Sequence, residues 1–144
     1  MLPSSDASPL RLMQNYEQAA ARHWQDAEQL LASKRLDNAD QIFGLAAECA
    51  LKVALVRSGT TVDHDSGLRE HIDVLWDRAR VHVKGRSNAP LASLLKSSNP
   101  FHEWAVAQRY FATGHVQQAA IDRHRRGTVR LLGATGVTVQ KGST

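Results

Sequence analysis

Apolar residues recur at three- and four-residue steps along most of the chain and almost never alternate with period two. This pattern predicts helices and argues against a sheet. The first helix reads from Leu10 to Ser33, with Tyr16, Ala19, Ala20, His23, Ala27, Leu30 and Leu31 on one stripe and Glu17, Arg22, Gln25 and Asp26 facing water. Asp37 or Asn38 then offers an N-cap to a second helix reaching Arg57, with Gly59 placed to receive its C-terminus. That helix is apolar nearly all round, which predicts the buried centre of the fold. Gly44, Ala46, Ala47 and Ala50 would let neighbours approach closely, and Glu48 and Lys52 can pair at i,i+4.

After a polar loop from Gly59 to Gly67, a third helix reads from Leu68 to His82, with Leu68, Ile72, Leu75, Trp76 and Ala79 on one face. Pro90 can open a short helix through Leu95, and Asn99-Pro100 breaks the chain again. The last helix reads from Val116 to Leu132, with Ala120, Ile121, His124, Thr128, Leu131 and Leu132 inward. The prediction is an all-α fold, an antiparallel bundle of four to five helices over residues 10–132. Residues 1–9 read as a flexible arm and residues 133–144 as a flexible tail.

Composition changes this picture little. At 144 residues the chain reads as one domain, and 42% apolar with 22% charged residues is ordinary globular usage. A single cysteine, Cys49, excludes an intrachain disulfide and suits a reducing cytoplasm. Met1 to Pro9 lacks the pattern of a secretory signal. The longest apolar-rich stretch, Ile42 to Val56, contains Glu48 and Lys52 and is too short to cross a bilayer. A cytoplasmic protein without a membrane anchor is expected. The net charge of +4, with seven histidines besides, raises the odds of a phosphate-bearing partner.

Three runs of residues resemble a known family. Arg22-His23-Trp24-Gln25-Asp26-Ala27-Glu28-Gln29-Leu30-Leu31, then Asn38-Ala39-Asp40-Gln41, then Ala46-Ala47-Glu48-Cys49-Ala50-Leu51-Lys52 are similar to the two leading helices of HEPN domains. His71-Ile72-Asp73-Val74-Leu75-Trp76, and Trp104 with Arg109-Tyr110, extend the likeness more loosely, so that it covers Tyr16 to Leu132. The resemblance implies a helical bundle, usually dimeric around a shared cleft. Many such proteins are metal-independent endoribonucleases, some of them toxins of toxin–antitoxin pairs. In that family an Arg and, after four to six intervening residues, a His near the start of a late helix carry the chemistry. The match in this sequence is Arg109 and His115.

That pair suits the reaction. Cleaving RNA without a metal requires deprotonation of the 2′-hydroxyl, charge balance for the phosphorane and a proton for the leaving oxygen. Histidine can give and take those protons, and arginine offers a planar cationic fork to phosphate. A two-fold dimer would set two of each around one cleft and leave a 2′,3′-cyclic phosphate. Phe111 stands where cleaving relatives often carry a polar residue, and Gly114 interrupts the chain just before His115. A second expectation is therefore a non-catalytic module that binds RNA, a nucleotide or a protein partner such as an antitoxin. In that case Arg109 and Tyr110 would close the bundle and His115 would cap the last helix.

Elsewhere, Arg123, Arg125, Arg126 and Arg130 read as an RNA-phosphate track or equally as a solvated basic face. His124 reads as a packed or dimer-facing residue, and Trp24, Trp76 and Trp104 as core or interface aromatics. His64 and His71 with Asp63 and Asp65 lack the spacing of a zinc site, so neither a metal nor a cofactor is expected. Lys84-Gly85-Arg86-Ser87 is too short for a phosphate-cradling loop, and Cys49 sits among apolar residues, a poor setting for a nucleophile.

Overall fold

The computed structural model describes residues 15–63, 65–85 and 88–139. The proposed N-terminal arm, the start of the first helix, His64, Arg86 and Ser87, and the last five residues lie outside them. The described residues form α1 (Tyr16–Ala32), α2 (Leu36–Arg57), α3 (Ile72–Ala79), α4 (Ala89–Leu95), a one-turn 3-10 helix (Val106–Tyr110) and α5 (Gln118–Thr135), with no strand among them. The fold is all-α and bundle-like.

α2 is the axis, as its sequence demands. Phe43, Ala46, Ala47, Ala50, Leu51 and Leu55 are fully buried, and α1, α3 and α5 all pack on it. Asn15 caps α1 by accepting from Gln18 N. The short Ser33–Arg35 turn then sends α2 back antiparallel to α1, so that Trp24 meets Phe43 and Glu17 meets Arg57. α5 runs in the same direction as α2. His124 bonds Asp40, and one turn further on Thr128 Oγ1 donates to the Phe43 carbonyl at 3.1 Å. This parallel pairing departs from a strictly antiparallel order, and the long connection through α3 and α4 is what permits it.

Several boundaries differ from expectation. The N-cap of α2 is Arg35, whose side chain makes no capping bond, and Asp37 lies inside the first turn with its carboxylate committed elsewhere. α3 is shorter than its pattern, because His71 is extended (ψ 166°) and Leu68 reaches the core from the preceding loop. α5 ends three residues later than its pattern, on Gly136 in the left-handed region, and Val137 is buried in the core. The predicted tail thus begins inside the helix. Gly59, at φ 83°, follows the C-cap of α2, and Thr60 N donates to the Leu55 carbonyl. Asn88 caps α4, with Pro90 in its first turn.

The closest approach in the core is at Gly44, where a Cβ would stand 2.1 Å from Trp104 Cε2. Only glycine lets the indole lie flat on α2, and Trp104 Nε1 then donates to the Asp40 carbonyl at 3.1 Å. That contact fixes the segment 97–117 across α2 and so positions the residues considered next.

Candidate functional site

Arg109 lies in the last turn of the 3-10 helix and His115 lies in coil two residues before Gln117, the N-cap of α5. Both are exposed. The Arg109 guanidinium lies 4.9 Å from the centre of the Tyr110 ring, and His115 meets the Phe111 ring edge-on at 4.9 Å. Tyr110 is 77% exposed and Phe111 48%. Tyr110 therefore does not close the bundle, and His115 does not cap the last helix. The segment presents instead two aromatic rings, each accompanied by a nitrogen-bearing side chain.

Asp37 pins this segment down. Its carboxylate accepts from Gly114 N at 2.8 Å and from Val116 N at 3.1 Å, across 77 and 79 positions of chain. Those two backbone N–H groups, aided by the charge of His115, hold the Asp37 carboxyl below its ordinary pKa. Gly114, at φ 90°, makes the turn that aims both amides at one carboxylate. Beside this anchor is a cleft of about 290 Å³ lined by Lys34, Arg35, Asp37, Asn38 and Thr113, which adds two cations next to the segment. Nothing in the periodicity marked Lys34, Arg35 or Thr113. They lie in turns, where no pattern of burial singles a residue out.

The arginines of α5 do not form one track. Arg125 Nε donates to Glu28 at 2.6 Å, and its guanidinium sits 5.3 Å from the Trp24 ring centre, on the side of α1. Arg123 turns the other way, donating to the Pro100 carbonyl at 3.2 Å and to Glu103. Arg126 and Arg130 lie with Arg123 along a second cleft, and among the described residues neither has an acceptor.

Inside the bundle, His124 is held between two carboxylates. Its Nδ1 lies 2.6 Å from Asp40 Oδ1, its Nε2 lies 2.6 Å from Glu103 Oε1, and Phe101 stacks on the ring. Each contact needs one proton, carried by the ring nitrogen or by the carboxyl that faces it. Burial works to raise the Glu103 pKa, but its backbone N–H, His124 and Arg123 outweigh it and hold the carboxyl below its ordinary value. The imidazole separates the two carboxylates, so the three cannot close on one ion. Among the described residues no group of three His, Cys, Asp or Glu is placed to hold a metal. A further cluster joins the buried Glu48 to the buried Lys52 Nζ and to Nδ1 of the exposed His71, each at 2.9 Å. The expected i,i+4 pair is present, and His71 completes it from the N-terminus of α3. Burial, followed by Glu48, pushes the thiol of the buried Cys49 up to about 11, which disfavours the thiolate a nucleophile needs.

No helix among the described residues is long and apolar enough to cross a membrane. No family model, curated protein or solved structure matches the chain.

Proposed function

We propose that this chain is a HEPN-like RNA-binding module whose contact surface for single-stranded RNA is the segment Arg109–His115. The observation that carries the reading is Tyr110, 77% exposed with a guanidinium over its ring. Folding leaves large apolar rings in water at a cost, and an aromatic–arginine pair offers a base a surface to stack on while the cation meets its phosphate. Phe111 beside His115 supplies a second such position. Lys34 and Arg35 line the adjoining cleft, where they can follow the strand's backbone.

A second reading adds cleavage. Arg109 and His115 share one exposed segment anchored by Asp37, and His115 is open to a ligand from solvent. In a two-fold dimer two such segments around one phosphate would provide acid, base and charge balance without a metal. Membership of a toxin–antitoxin pair belongs to this second reading.

The test is binding of a labelled single-stranded oligoribonucleotide in EDTA. Tyr110→Ala is expected to weaken binding by about tenfold or more, the loss of roughly 1–3 kcal/mol per unstacked base. Wild-type affinity in that variant would overturn the reading. For cleavage, His115→Ala should abolish product carrying a 2′,3′-cyclic phosphate. Equal cleavage by both proteins would leave only binding, and a Tyr110→Ala variant that alters self-association alone would assign the rings to a dimer contact.

A further inference from the structure

Where α5 crosses the turn after α4, a cleft of about 220 Å³ is lined by Arg123, Arg126 and Arg130 from α5, Ser97 and Ser98 from the turn, and Trp76 from α3. The three arginines fall at i, i+3 and i+7 and so share one face of the helix. Gly127 lies between them and lets α5 close onto the turn: a Cβ there would stand 2.8 Å from Pro100 Cγ and 3.0 Å from Phe101 Cε2. Arg80 ties down the turn itself by donating to the carbonyls of Leu95 and Ser97. The cleft is thus built on fixed backbone.

Its polar lining is rich in donors. Three guanidiniums and the Ser98 hydroxyl surround the space, the Ser97 hydroxyl donating instead to the Leu94 carbonyl, and no carboxylate lines it. Trp76 is 1% exposed, and its Nε1–H is buried without an acceptor among the described residues. A buried donor left unbonded costs free energy and calls for a partner. The charge balance points the same way. Glu103 offsets Arg123, whereas Arg126 and Arg130 face the cleft with no anion of the protein beside them. Two uncompensated positive charges match a dianion.

We infer that this cleft binds a phosphate monoester dianion, with Arg126 and Arg130 as its charge partners and Trp76 and Ser98 as further donors. No residue of the 109–115 segment lines the cleft, so the inference rests on phosphate recognition and not on the proposed stacking surface. A free phosphorylated small molecule and the phosphorylated end of an RNA strand present the same chemistry.

The experiment uses the full chain labelled with 15N, in which three tryptophans give three indole signals. Inorganic phosphate is titrated at ionic strength matched with chloride. The Trp76 indole signal should move to saturation, while those of Trp24 and Trp104 stay in place. Arg126→Gln/Arg130→Gln should weaken that response by about tenfold or more. The two unmoved indole signals then report that the variant remains folded. Tyr110→Ala should leave the phosphate response unchanged, which separates this site from the stacking surface.

A short oligoribonucleotide with and without a 5′-phosphate distinguishes the sources. Tighter binding of the phosphorylated form, lost in the double variant, supports the site and assigns it to an RNA end. Equal binding of the two forms, with the inorganic phosphate response intact, supports the site as one for a small phosphomonoester. A Trp76 signal that responds to phosphate no more than to chloride, or identically in the double variant, overturns the inference.

Discussion

Asp40 Oδ1 and His124 Nδ1 lie 2.6 Å apart in the core, between residues 84 positions apart in the chain. The bond fixes the register of α5 on α2, because the side chain of Asp40 has no exposure and that of His124 only 2%. Within the protein Gln108 reaches the same carboxylate at 3.3 Å and Glu103 takes the far ring nitrogen. His124→Phe would keep the ring stacked near Phe101 but leave the Asp40 carboxylate with Gln108 alone. Leaving a buried hydrogen-bonding group without its partner typically costs about 1–3 kcal/mol. Urea unfolding should show a loss of that order, with Asp40→Asn milder because the amide can still accept a hydrogen bond.

Glu48 and Lys52 provide the contrasting case. Both side chains are under 10% exposed, and Glu48 is the carboxylate that meets the Lys52 ammonium. Glu48→Gln strips the buried ammonium of its carboxylate, and a loss of about 3 kcal/mol is expected. Replacing both, as Glu48→Leu with Lys52→Met, removes the charges together and should recover most of that loss. A double-mutant cycle read by urea midpoint measures the difference.

The Asp37 anchor has a pH signature. A carboxyl held below its ordinary value of 3.8 stabilises the folded segment at all pH values above that figure. The contribution is lost as pH falls through the still lower value of the folded state, when protonation ends acceptance from Gly114 and Val116. Hydrogen exchange at those two amides should stay slow on passing below 3.8 and speed up only at lower pH. Asp37→Ala should accelerate exchange by about tenfold even at neutral pH, the size expected for losing a charged acceptor.

Gly44 tests the closest approach in the core. Gly44→Ala would push Trp104 off α2 and break its bond to the Asp40 carbonyl, at a cost of about 1–3 kcal/mol or somewhat more. A lowered Tm with altered tryptophan fluorescence is the expected result. Cys49, pushed up to about 11, carries about one thiolate in ten thousand at pH 7. Iodoacetamide should therefore label it only after denaturation.

The helices were legible because burial imposes a period on them. α2 shows its central place through Phe43 to Leu55, apolar nearly all round, and α4 declares its start at Pro90. Glu48 and Lys52 were readable as a local pair for the same reason. The Asp40–His124–Glu103 chain was not, since polar contacts between distant segments leave no repeat in the sequence. Asp37 was misleading: an acidic residue at a helix start reads as a cap, yet its carboxylate serves amides 77 and 79 positions away. Arg123 and Arg125 look alike in the sequence and diverge only once Glu28 and Glu103 are in place around α5.

The parallel course of α2 and α5 has a consequence during synthesis. The ribosome delivers α2 some eighty residues before the helix that covers its Asp40–Phe43 turn. Throughout that interval α1 can fold back on α2, but the remaining apolar side waits uncovered in the nascent polypeptide. Chaperones that grip greasy helices would meet their best opportunity there, before His124 emerges to close the seam.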